Sequence, residues 1–328
     1  MIRLEDGPSP KTKVIFVALD YSYGEEKRGH GFEWQMYLAM QEMEDVEVIR
    51  YPLELMQTPP EKKRVANLHL LHLVEAWKPD FVFVALFTDQ LLPEVLDEIK
   101  KKTCLLGFCF DSAWRFESYE KAVAPHFTYM VITNAISISR YKESSLSFIK
   151  ATYGCRTSFF KPLNLPKIYD ISFIGGNHGN RTEVIRALRA KGLKVQVFGI
   201  GWPDTVEVPY EEVVRVFNQS KINLNLANAS TGGYQQVKGR HFEIPGCKAF
   251  QLSSNIPELY EYFYPNREIG VFNSDVDLYE KCIYYLTREK EREEIAERAY
   301  KKTLAEHTWE IRFREIFKAA EGKPDWLL

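Results

Sequence analysis

The sequence predicts an α/β fold built from two consecutive Rossmann-like domains facing a central cleft. Three observations carry this expectation. Short apolar runs alternate with longer amphipathic stretches, as strand–helix units of a parallel sheet do. The alternation breaks at an irregular segment with two prolines near its end, ATYGCRTSFFKPLNLPK, and then restarts. The length of 328 residues is about twice that of a usual domain. The expected domains are 1–163 and 164–306, with a terminal helix in 307–328.

Each element has a local reason. KVIFVAL (13–19) is a β-branched and aromatic run ending in a polar loop, 20–30, before a helix over 31–43. A strand is expected at 46–51 and a helix at 61–77, where Leu68, Leu71, Val74 and Trp77 recur at helical spacing. FVFVALF (81–87) is almost continuously apolar, as a strand buried on both faces should be. A helix (91–102), two strands (104–110 and 129–133) and a helix (135–150) complete the first half. After the break come a strand at 169–174, the loop GGNHGN, a helix at 181–191 and a strand at 194–198. A helix at 210–219 and strands at 221–226, 248–252 and 268–272 follow, and the chain is helix-rich from Asp275 onward.

Composition excludes several classes. Hydrophobic residues make up 45% and charged residues 27%, ordinary values for a globular chain. The net charge of −2, with Lys and Arg dispersed, argues against a nucleic-acid partner, which needs a basic stripe. Five cysteines, an odd number without a CxxC pair, read as reduced thiols rather than a disulfide framework or a zinc site. No apolar run approaches the ~20 residues that span a bilayer, and MIRLEDGPSPKTK lacks a signal-peptide core. The expectation is a cytoplasmic protein, with peripheral membrane contact and oligomeric state left open.

Two segments point to chemistry. The loop GGNHGNRT, with Gly175, Gly176 and Arg181, lies between a strand and a helix, where glycines and free N–H groups admit a phosphate and a guanidinium can grip it. It matches neither GxGxxG nor GxxxxGK[ST], and a purely structural turn is the alternative. In KGRHFEIPGC, Lys238 and Arg240 stand where a helix begins, the wrong end for cations unless an anion is bound. Glu243, three residues after Arg240, adds a carboxylate whose two oxygens suit a ribose diol. The alternative is an intrahelical salt bridge between Arg240 and Glu243.

The order KINLNLANAS, VKGRHFEIPGCKAFQLSSNIPELYEYF, REIGVF and AEHTWEIRFREIF resembles the C-terminal domain of CgeB-like (spore-maturation-protein type) glycosyltransferases. FDSAWRFESY and AVAPHFTYMVITN are similar to that family's N-terminal domain. The resemblance implies the GT-B fold, with the C-terminal helix packing back on the first domain. It implies that Glu243 holds the nucleotide ribose, that Lys238, Arg240 and Arg181 serve the diphosphate, and that Gly199 and Trp202 border the base. Gln235 replaces a glutamate, Lys248-Ala249 replaces Gly-Gly, and Asp111 stands without a paired aspartate.

The function expected is sugar transfer from a nucleotide-sugar donor, UDP- or GDP-linked, to a glycan, lipid-linked or protein acceptor. The resemblance further implies retention of configuration. No other cofactor is expected, and no metal, because helix N-termini and Lys/Arg can hold the leaving diphosphate. The triplet Asp275-Val276-Asp277 opens a helix and reads as capping. Acceptor activation falls to the first domain, with Asp111 as base, Arg115 as a sugar or anion contact and His30 as a further candidate; Asp20 and Glu33 lie nearby. Two alternatives stand beside this: a DNA-base or protein glycosyltransferase, and a non-catalytic nucleotide-sugar-binding protein of the same shape.

Overall fold

The structure is a computed structural model that describes residues 10–56, 59–203, 208–229, 231 and 233–322. Its first sheet contains β1 (Thr12–Ala18), β2 (Val46–Pro52), β3 (Phe81–Leu86), β4 (Cys104–Cys109), β5 (Tyr129–Ile132) and β6 (Phe148–Lys150), all parallel and ordered β2-β1-β3-β4-β5-β6. Helices α1 (Phe32–Gln41), α2 (Pro60–Trp77), α3 (Pro93–Lys100), α4 (Ser112–Arg115), α5 (Lys121–Val123) and α6 (Ala135–Glu143) belong to this half. Every residue of β3 is buried, which accounts for its unbroken apolar sequence.

The second sheet contains β7 (Tyr169–Ile174), β8 (Val195–Phe198), β9 (Ser220–Asn225), β10 (Gln251–Ser254) and β11 (Gly270–Phe272), also parallel, in the order β11-β10-β9-β7-β8. Its helices are α7 (Arg181–Ala190), α8 (Tyr210–Gln219), α9 (Arg240–Gly246), α10 (Asp275–Leu286) and α11 (Glu289–Glu306). The last helix, α12 (Trp309–Ala320), leaves this half and covers the first sheet. Its Phe317 stacks on Phe81 of β3 at 4.6 Å, Phe313 meets Phe83 edge-on at 5.7 Å, and Trp309 packs on Phe32 at 5.7 Å.

Two expected elements differ, and one further stretch carried no expectation. The helix expected over 135–150 ends at Glu143, because Ser145 turns left-handed (φ 53°) and releases the chain into edge strand β6. The strand expected from Lys248 begins at Gln251, since Lys248 is also left-handed (φ 53°) and its N–H caps Pro245 of α9. The Asp111–Val123 stretch is helical, passing from α4 through a π-helical turn at Phe116–Glu120 into α5. Buried Glu120 anchors that turn, accepting from Ser112 Oγ at 2.5 Å and Tyr141 Oη at 3.0 Å.

The irregular segment expected as a linker is pinned at its start. Cys155 and Thr308 pair as a short bridge, Cys155 N donates to His307 O at 2.8 Å, and Trp309 N donates to Cys155 O at 3.1 Å. Both crossings between the halves therefore lie side by side. The carboxyl edges of the sheets meet: a Cβ on Gly239 would lie 2.6 Å from the Phe32 ring, and Arg140 Nη2 donates to Tyr234 Oη at 3.3 Å. No helix among the described residues is long and apolar enough to cross a membrane.

Candidate active site between the two sheets

The second domain builds its side of the cleft from the loops after β7, β8 and β9. Gly175 ends β7 and donates its N–H to Phe198 O at 2.8 Å, and Asn177 N donates to Ile200 O at 2.8 Å, so two loops form one surface. Close approach dictates the glycines. A Cβ on Gly199 (φ 126°) would lie 2.6 Å from Gly175 O, and one on Gly175 would collide with the Arg240 guanidinium. Trp202 is buried beneath, its indole N–H donating to Gly175 O at 2.8 Å. Trp202 and Gly199 thus hold the Gly175 loop; the neighbouring residues 204–207 lie outside the described residues.

Three cations gather behind this surface. Arg181 is 1% exposed and gives its N–H groups to the carbonyls of Gly176 (2.7 Å), Leu226 (3.0 Å) and Asn228 (3.0 Å), with its guanidinium over the Phe173 ring. It forms the floor of the site. Burial, with the nearby Arg240 charge, lowers its pKa to about 9. Arg240 donates to Ile174 O and shares the Phe173 ring at 5.5 Å. Lys238 is half-buried, and burial pushes its ammonium down to about 8 despite the upward pull of Asp111. Buried His241 accepts the Lys238 N–H at 2.9 Å and bonds Ser253 Oγ at 3.0 Å, fixing the Lys238 backbone.

Among the described residues, only Asp111 brings a carboxylate within ion-pairing distance of these cations. Its Oδ1 lies 3.7 Å from Lys238 Nζ and accepts from Gln236 Nε2. Asp111 comes from the opposite domain, on the turn after β4, in a left-handed conformation (φ 55°) unusual for a residue with a side chain. No salt bridge joins Arg240 to Glu243 among the described residues. Glu243 instead is 5% exposed and accepts the Tyr210 hydroxyl at 2.8 Å. Burial raises its pKa to about 7, with Tyr210 and Arg240 pulling the other way.

Other expected residues stand apart. His30 is sandwiched between Tyr21 (5.1 Å) and Trp34 (4.1 Å), with Nδ1 3.0 Å from Asp20 O. Arg115 lies over the Tyr119 ring at 4.6 Å and donates to Phe87 O. Both buttress first-domain loops in this structure. Lys248 pairs with Glu297 of α11 at 2.5 Å, and Gln235 is exposed, so neither faces Asp111. Asp277 of the DVD triplet pairs with Lys281 at 3.2 Å and takes Asn273 N–H, as a helix-capping acid does.

Several residues were not anticipated. His178 sits in the field of Arg181, Lys238 and Arg240, and burial followed by those charges lowers its pKa to about 4. Its Nδ1, Gln236 Oε1 and the Nε atoms of Arg181 and Arg240 have no hydrogen-bond partner among the described residues. Gln236 was hidden beside Gln235, since only the fold decides which of the pair turns inward. Glu258 is raised by burial to about 7, and its Oε1 has no hydrogen-bond partner among the described residues. Glu33, a first-domain acid expected from the sequence, stands at the start of α1 and is likewise raised by burial to about 7. It is also close enough to Tyr210 to perturb that phenol across the cleft.

Comparison with known proteins bears on the fold. Residues 181–318 match the glycosyl transferase-like family, a span that includes Arg181, Lys238, Arg240 and Glu243. No curated protein matches the chain. Among solved structures, the chain is similar to sucrose-phosphate synthase from Thermosynechococcus elongatus (12% identity, 94% of this chain and 100% of that one, TM-score 0.64). A glycosyltransferase from Rickettsia africae is similar to the same degree (12% identity, 95% and 99%, TM-score 0.64). So is Anabaena HepE in complex with UDP and glucose (7% identity, 94% and 99%, TM-score 0.64). The fold is therefore that of the GT-B glycosyltransferases.

Proposed function

We propose that this protein is a glycosyltransferase that moves a sugar from a nucleoside-diphosphate donor, UDP- or GDP-linked, to an acceptor hydroxyl, with retention and without a metal. The observation that carries this reading is the convergence of Lys238, Arg240 and Arg181 on the edge that also bears Glu243, with one carboxylate, Asp111, reaching in from the other domain. Lys238 and Arg240 hold the diphosphate, Arg181 adds positive potential from beneath, and Glu243 accepts the ribose hydroxyls.

In the reaction the bond from C1 to the phosphate oxygen breaks and its electrons leave with the diphosphate. Lys238 and Arg240 stabilise that charge most where water is excluded. The acceptor hydroxyl, oriented by Asp111, forms the new bond to C1 on the same face and gives its proton to that carboxylate. The acceptor is a glycan, lipid-linked sugar or protein in the cytoplasm, and the near-neutral chain disfavours nucleic acid.

A panel of UDP-, GDP-, dTDP- and ADP-sugars, read by thermal shift and hydrolysis with EDTA present, tests the proposal. A saturating nucleotide at 100 times its Kd should add about 2.7 kcal/mol of stability. Failure of all four to bind sinks the reading. Binding with no hydrolysis or transfer favours a non-catalytic sugar-nucleotide binder, the reading that Gln235 supports.

A further inference from the structure

We infer that Asp111 and the donor diphosphate compete for Lys238, so that donor binding releases Asp111 for the acceptor. The inference rests on the donor site proposed above and adds its regulation. Lys238, Arg240 and Arg181 crowd three positive charges into one region, where burial first and the neighbouring cations second lower the pKa of Lys238 and of Arg181. Against them stand Asp111, 3.7 Å from Lys238 Nζ, and buried Glu243, which acts on Arg240. Two carboxylates do not balance three cations, whereas a diphosphate brings more charge and several acceptor oxygens to the same place.

The first domain also holds Asp111 under tension. Its φ of 55° is a conformation that costs a residue with a side chain free energy. Gln236 Nε2 and Lys238 Nζ, both from the other domain, are the partners that hold the carboxylate. Transfer of Lys238 to phosphate weakens that hold from one side and leaves Asp111 charged and directed at the space between the domains. A carboxylate still paired with Lys238 is a poor base, because the ammonium stabilises its ionised form. The exchange therefore links donor occupancy to proton acceptance, and an acceptor hydroxyl meets an active base only beside a bound donor.

The test is the affinity of UDP and GDP for wild type, Asp111→Asn, Lys238→Met and the double variant, by calorimetry in EDTA. Asparagine tolerates the left-handed conformation, and Asp111→Gly, free of its strain, is the second variant should the first fail to fold. The expected result is at least fivefold tighter nucleotide binding for either Asp111 variant, together with loss of sugar transfer. In the Lys238→Met background the same change should tighten binding less than twofold, since there is no ammonium left to compete for. Unchanged or weaker binding on losing the carboxylate overturns the inference, and so does equal tightening in both backgrounds, which marks long-range repulsion of the nucleotide. Absence of nucleotide binding to wild type and all variants instead refutes the donor site itself.

Discussion

Replacing Glu243 by glutamine should separate the stability of this protein from its ligand affinity. Glu243 is 5% exposed, and its carboxyl is raised from an ordinary 4.5 to about 7 by burial. A carboxyl with a raised folded-state pKa binds its proton more tightly in the native than in the unfolded chain. Its stabilising contribution is complete below the unfolded pKa and is lost as pH rises through the folded one. A difference of about 2.5 units at 1.36 kcal/mol each predicts a loss of about 3 kcal/mol between pH 4.5 and 7. Glutamine still accepts from Tyr210 but carries no charge, so Glu243→Gln should lack this component. Urea unfolding at pH 5 and pH 8 measures most of it: wild type should lose about 2.5 kcal/mol more than the variant. Nucleotide affinity of wild type relative to the variant should rise with pH as the carboxylate forms, reaching an advantage of about 1–3 kcal/mol at pH 8. Parallel stability curves for the two proteins would refute the reasoning.

Three further substitutions probe the frame. Gly199→Ala places a Cβ 2.6 Å from Gly175 O at a φ of 126°, so both nucleotide binding and stability should fall, the latter by more than about 1 kcal/mol in thermal unfolding. Trp309→Ala removes a fully buried ring that locks α12 onto Phe32 and Phe108, and should cost about 3–5 kcal/mol; a loss under 1 kcal/mol would mean the helix is not part of the first core. Lys248→Gly removes an exposed ion pair to Glu297 and relieves a left-handed φ, so stability should stay within about 0.5 kcal/mol and nucleotide affinity should be unchanged.

The two-sheet fold was legible because parallel strands buried on both faces must be apolar throughout, and β3 and β4 show this directly. Short elements were not. Edge strand β6 and the π-helical turn at Phe116–Glu120 depend on a left-handed serine and on a buried glutamate held by Ser112 and Tyr141, contacts that leave no local pattern. The cluster Lys238, Arg240 and Glu243 could be picked out because cations at a helix start ask for an anion. Which partner each takes could not. Arg181 faces inward to carbonyls, Glu243 takes Tyr210 rather than Arg240, and Gln236 rather than Gln235 meets Asp111. Those choices are set by how two domains distant in sequence are brought face to face.

The proposed function stands or falls on whether the edge bearing Lys238, Arg240 and Glu243 receives a nucleoside diphosphate. A structure of the protein soaked or crystallised with UDP, or with GDP if that binds better, tests it directly. Phosphate oxygens should lie within hydrogen-bonding distance of Lys238 Nζ and ribose hydroxyls on the Glu243 carboxylate, and Asp111 should no longer pair with Lys238. A nucleotide bound elsewhere, or one whose phosphates leave the Lys238–Asp111 pair intact, would contradict it.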